Sequence, residues 1–71
     1  MTTIRIEQDQ LIIRVDQWDY EIELERLNTP QKILGWVYHL CGKNWVTPSV
    51  IEEFIDFATT ATGQEQFEVT A

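Results

Sequence analysis

Residues 35–48, GWVYHLCGKNWVTP, place two tryptophans, a tyrosine, the single histidine, the single cysteine and a lysine within a few turns of chain. Histidine and cysteine are the usual pieces of nucleophilic or metal chemistry, so this stretch is where a catalytic reading has to begin. His39 has no second histidine to share a metal with. Cys41 follows it by two residues, which on a helix is about 200° around the axis, so the two side chains do not share a face. His39 falls opposite the apolar stripe of its helix, beside Gly35 and Lys32, and reads as an exposed or half-exposed surface residue. Cys41 falls on the stripe and reads as a small buried hydrophobe; a reactive thiol is better served by a helix N-terminus than by a C-terminus. Catalytic, cofactor-binding and metal-ligating residues are therefore all read as none, and the chain is read as a non-enzyme.

The aromatic members carry two readings. Trp45 either plugs the open end of a helical hairpin, or joins Trp36 and Tyr38 in an aromatic surface patch of the kind that anchors protein interfaces. A second candidate lies upstream. Asp19, Glu21, Glu23 and Glu25 alternate along one segment and form a ladder of carboxylates. Successive members of a strand face are roughly 7 Å apart on a solvated surface, which suits a strip for a basic partner better than a cation site or an acid–base pair. The residues expected to meet a partner are Asp19, Glu21, Glu23, Trp36 and Trp45.

The elements that position these residues follow from periodicity. Residues 2–25 alternate at period two: Ile4 and Ile6; then Leu11, Ile13 and Val15; then Trp18, Tyr20, Ile22 and Leu24. Each run is a strand with one apolar face. Two-residue turns at Gln8-Asp9 and Asp16-Gln17 set Ile6 opposite Leu11, Ile4 opposite Ile13, Val15 opposite Trp18, Ile13 opposite Tyr20 and Leu11 opposite Ile22. Arg14 then faces Asp19 on the other side. A one-residue slip would scatter these sets over both faces. Neither turn carries the Asn-Gly or Asp-Gly of a tight primed turn, which leaves a longer loop or a bulge open.

The period then changes. Thr29 and Pro30 form an N-cap and first helical residue, and Ile33, Leu34, Val37, Leu40 and Cys41 make a stripe. Gly42 stands where a left-handed residue would end the helix, and Gly35 lies within it at a cost of about 1 kcal/mol against Ala. Thr47 and Pro48 start a second helix, stapled by Val46 and Ile51, with Ile51, Phe54, Ile55 and Ala58 inward and Gly63 as the stop. Glu52, Glu53, Asp56, Thr59 and Thr60 make its wet face. Residues 64–71 form a tail that either adds an edge strand or frays. The fold class is α+β: a three-stranded antiparallel meander over residues 2–25 and a helical hairpin over 29–63 covering one sheet face, in one two-layer domain of 71 residues.

Bulk properties narrow the function. Twelve acidic against five basic side chains leave a net charge of −7. That disfavours direct nucleic-acid binding, and a helix-turn-helix reading fails because the second helix carries Glu52, Glu53 and Asp56 and no cation. No apolar run is long enough for a membrane span and the N-terminus lacks the pattern of a secretory signal, so a cytoplasmic location is the default. A single cysteine permits no internal disulfide.

The segment ILGWVYHLCGKNWVTPSVIEEFI, residues 33–55, resembles a pattern in small uncharacterised bacterial and prophage-associated proteins. There a W-x-x-H-L helix precedes a K-x-W-x-T-P turn and a second helix, here Trp36, His39, Leu40, Lys43, Trp45, Thr47 and Pro48. It covers about a third of the chain and implies a phage or mobile-element accessory protein. The expected function is a small acidic protein-interaction module that binds and inhibits a basic host protein or complex, anti-CRISPR-like at its most specific. The alternative is a structural or oligomeric component that self-associates through its open sheet edge or its open sheet face, from which Ile12 projects; the chain is expected to be a monomer or a homodimer.

Overall fold

The computed structural model describes residues 2–64. Three strands, β1 (Thr2–Glu7), β2 (Gln10–Val15) and β3 (Trp18–Glu23), are followed by a 3-10 turn (Leu24–Leu27) and two helices, α1 (Pro30–Leu40) and α2 (Pro48–Thr62). The sheet is an antiparallel meander in the order β1-β2-β3. Its register is the one that alternation demands, with Ile4 opposite Ile13, Ile6 opposite Leu11, Ile13 opposite Tyr20, Leu11 opposite Ile22 and Arg14 opposite Asp19. Both turns are two-residue turns, and each places its first residue in the left-handed region: Gln8 and Asp16, both at φ 53°. Aspartate tolerates that conformation better than most residues.

The inner face of the sheet supplies Leu11, Ile13, Val15 and Ile22 to the core, and the helices close it with Ile33, Val37, Leu40, Phe54, Ile55 and Ala58. The architecture is thus a two-layer α+β domain. Leu27 joins this core fully buried. The period-two alternation predicts a third strand to residue 25, but the strand ends at Glu23 and the chain turns inward at Leu24. The Leu24 N–H still extends the ladder by donating to the Asp9 carbonyl (2.8 Å).

Both helices start as their sequences require. The Thr29 and Thr47 hydroxyls accept from the backbone N–H of Lys32 (3.2 Å) and Val50 (3.3 Å), each with proline next in the chain. α2 ends on Gly63 in the left-handed region, φ 71°. Val46 and Ile51 both pack on the core, as a hydrophobic staple does. Two inward positions of α2 depart from expectation. Val50 is buried, and Thr59, placed on the wet face by its polarity, is buried with its hydroxyl donating to the Ile55 carbonyl (2.8 Å). That local bond removes the cost of enclosing it.

α1 departs further. Its buried side is Ile33, Val37 and Leu40 with Trp36 packed beside them, while Leu34 is exposed. Cys41 is exposed too, correcting the buried reading. The helix does not end on a left-handed glycine. Cys41 is the C-cap in right-handed geometry, and the chain leaves through two tight turns, Gly42 N–H to the His39 carbonyl (3.2 Å) and Lys43 N–H to the Leu40 carbonyl (2.9 Å). The tail expected to pair or fray lies outside the described residues from position 65 onward; Gln64 donates to the Leu27 carbonyl (2.7 Å).

Candidate interaction surface

β3 presents two chemistries on opposite faces. Its inner-face aromatics, Trp18 and Tyr20, meet Trp36 from α1 and Trp45 from the loop between the helices. Trp45 stands edge-on to Trp18 (5.7 Å between ring centroids) and tilted to Tyr20 (5.6 Å). Trp36 stands edge-on to Tyr20 (6.4 Å) and to His39 (5.4 Å). The Lys43 ammonium lies 5.7 Å from the centre of the Tyr20 ring. Edge-to-face pairs of this kind are each worth about 0.5–1.5 kcal/mol beyond area burial.

This cluster bears on the two readings of the tryptophans. Trp36 and Trp45 are half-buried against the core, and Trp45 joins the helical connection to the sheet end at Trp18. Tyr38 is 85% exposed and makes no ring contact with Trp36 or Trp45 among the described residues. The exposed member of the cluster is Trp18, at 47%. Trp18 and Tyr20 were readable as inner-face residues, but nothing in the pattern said that the interhelical loop would lie against them.

The outer face holds the acidic strip, and its members differ. Arg5 on β1 reaches Asp19 on β3 (3.2 Å), Arg14 reaches the same carboxylate (3.4 Å), and Arg5 also pairs with Glu7. These partners raise the Arg5 guanidinium pKa above its ordinary value, the Glu7 hydrogen bond most strongly and Asp19 next. Asp19 is therefore neutralised within the sheet. The Arg5–Asp19 pair has to cross β2, and Ile12 on that face is only 3% exposed. Ile12 is thus not the protruding apolar contact expected of it.

Glu21 and Glu23 are exposed and have no ion pair among the described residues. They lie on an edge strand. Because the closing pair of the second turn is Val15 and Trp18, the backbone groups of Trp18, Tyr20 and Ile22 bond β2, and those of Asp19, Glu21 and Glu23 point to the outer edge. No strand pairs with that edge among the described residues. The five expected contact residues therefore divide: Glu21 and Glu23 are presented to solvent, Asp19 is already paired, and Trp36 and Trp45 lie on the opposite face.

Among the described residues no group of three His, Cys, Asp or Glu side chains converges as a metal site, and no helix is long and apolar enough to cross a membrane. The chain matches no family model, no curated protein and no solved structure.

Proposed function

We propose that this chain is a non-enzymatic protein-interaction module whose contact surface is the acidic edge of β3, and that its partner is a basic protein or complex. The observation that carries the reading is the contrast within the strip. Arg5 and Arg14 neutralise Asp19, while Glu21 and Glu23 on the same strand stand without a counter-ion among the described residues. A net charge of −7 speeds encounter with a basic surface, and the exposed Trp18 offers an aromatic contact at one end of the same strand. With the resemblance of residues 33–55 to prophage-associated proteins, the specific form of the proposal is a phage or mobile-element accessory protein. It would act in the cytoplasm by covering a nucleic-acid-binding surface of a host defence complex, as an anti-CRISPR protein does.

A pull-down from host lysate at low and high salt tests it. A stoichiometric partner retained at low salt and released at high salt is expected, because exposed charges are screened over about 10 Å at 0.1 M salt. Glu21→Lys together with Glu23→Lys should cut that capture at least tenfold; unchanged capture by the double variant rejects the acidic edge.

Self-association is the second reading, and the β3 edge, unpaired among the described residues, favours it. An antiparallel pairing of two β3 edges across a two-fold axis would, however, set Asp19, Glu21 and Glu23 against the same carboxylates of the second copy, which disfavours it. Sedimentation at low salt separates the two: a monomer is expected, and a dimer that strengthens with the lysine variants would identify edge pairing.

A further inference from the structure

The 3-10 turn and α1 enclose an open groove of about 670 Å³ on a part of the molecule that the acidic edge does not use. In a chain of net charge −7, two of the five basic side chains, Arg26 and Lys32, line it together with His39, against a single acidic residue, Glu25, in the same lining. The three cations elsewhere are engaged, and Lys32 is held in place. Arg5 and Arg14 bind carboxylates, Lys43 lies over the Tyr20 ring, and Lys32 itself donates to the Glu25 carbonyl (3.2 Å), tying the two walls together. Arg26 has no ion pair among the described residues.

The floor is as particular as the rim. Gly35 sits in the middle of α1, where glycine is the weakest helix former short of proline. Nothing lies within 4 Å of where its Cβ would be, and it lines the groove. Packing among the described residues therefore leaves room for a side chain at this position. Trp36 lines the same groove with His39 edge-on to it. The site does not have the form of a phosphate cradle, since the Lys32 N–H at the helix start is already taken by the Thr29 hydroxyl.

We infer that this groove binds an extended acidic peptide segment of a partner protein, with a carboxylate on Arg26 and Lys32 and an apolar side chain over Gly35 against Trp36. Arginine pairs a carboxylate through two parallel hydrogen bonds, and the volume lies in the range of small-ligand and short-peptide sites. The inference stands apart from the acidic edge, which calls for a partner of the opposite charge.

Titration of the isotopically labelled chain with a capped hexapeptide of alternating glutamate and leucine, followed by amide and indole NMR shifts, tests it. Saturable shifts at Gly35, His39 and the Trp36 indole are expected. Arg26→Glu should weaken the peptide at least tenfold. Gly35→Gln fills the floor where there is room, should leave the thermal midpoint unchanged or higher, and should also weaken the peptide at least tenfold. Absence of saturation at these residues, equal affinity of either variant, or equal binding at the groove of a lysine–leucine peptide would overturn the inference. The lysine–leucine peptide also reads the β3 edge: shifts confined to Asp19, Glu21 and Glu23 would support the acidic surface whatever the groove does.

Discussion

The two helices begin with the same three-part chemistry, a threonine cap, a proline and an isoleucine or valine turned inward, and then diverge. α2 has one continuous buried side, Val50, Phe54, Ile55, Ala58 and Thr59, and stops on a left-handed glycine. α1 buries Ile33, Val37 and Leu40, leans on aromatics through Trp36, carries a glycine that nothing covers among the described residues, and leaves through tight turns without a left-handed stop. One helix has a shape explained by the core alone. The other holds a feature, the uncovered Gly35, that packing among the described residues does not require. Residues that packing leaves unexplained are where a binding role is best sought.

The largest effect should come from breaking the helix that the core explains. Phe54 is fully buried, and truncating such a ring costs about 3–5 kcal/mol. A domain of this length has a total stability of roughly 4–10 kcal/mol. Phe54→Ala should thus lose much or all of its cooperative unfolding transition in urea. Leu34→Ser on α1, exposed despite its place in the apolar pattern, should shift stability by no more than about 0.5 kcal/mol. A large loss at Leu34 would mean that α1 buries the side its periodicity suggests.

The glycines sharpen the same contrast with opposite signs. Gly63→Ala forces a left-handed residue to carry a Cβ and should cost about 1 kcal/mol. Gly35→Ala restores helix propensity in open space and should gain about 0.5–1 kcal/mol. In a domain this small, 1 kcal/mol moves the thermal midpoint by roughly 4–8 °C, so calorimetry of the two variants should bracket the parent. A destabilising Gly35→Ala would place an unseen close contact at that position.

How far the sequence discloses this molecule depends on whether one pattern or two act on a residue. The sheet register was legible because period-two alternation and two-residue turns leave a single pairing that keeps the apolar residues together. α2 was legible, Val50 and Thr59 apart, because its apolar residues occupy one arc. α1 carries apolar or aromatic residues at 33, 34, 36, 37, 38, 40 and 41, most of the way around the helix, so its periodicity locates Ile33, Val37 and Leu40 but not which flank of that stripe is buried. Contact with Tyr20 selects it, drawing Trp36 toward the sheet and leaving Leu34 and Cys41 outside. On the acidic strip, direct cross-strand pairing disclosed Arg14 with Asp19, but the Arg5–Asp19 bridge spans two strand spacings and needs the full sheet to be seen. In the groove, Lys32, Gly35 and His39 were legible as one helix face; Arg26 was not, because the 3-10 turn that carries it breaks the alternation without a glycine or proline to announce it.

The smallest effect concerns what α1 leans on. Burial among Trp18, Trp36 and Trp45 raises the Tyr20 phenol above its ordinary value near 10, because the phenolate would lose its hydration. The folded state therefore holds this proton more tightly than the unfolded chain. The stabilisation is fully present below the unfolded value and is lost as pH rises through the folded one. In a Tyr38→Phe background the absorbance change at 295 nm then reports Tyr20, and it should titrate above pH 10, with the thermal midpoint falling over the same interval. Trp45→Ala removes part of the cover and should return the titration toward 10, while Thr60→Ala on the exposed side of α2 should leave it in place. A Tyr20 that titrates at its ordinary value in the parent would mean that the aromatic corner admits water, and that α1 is held by its aliphatic side alone.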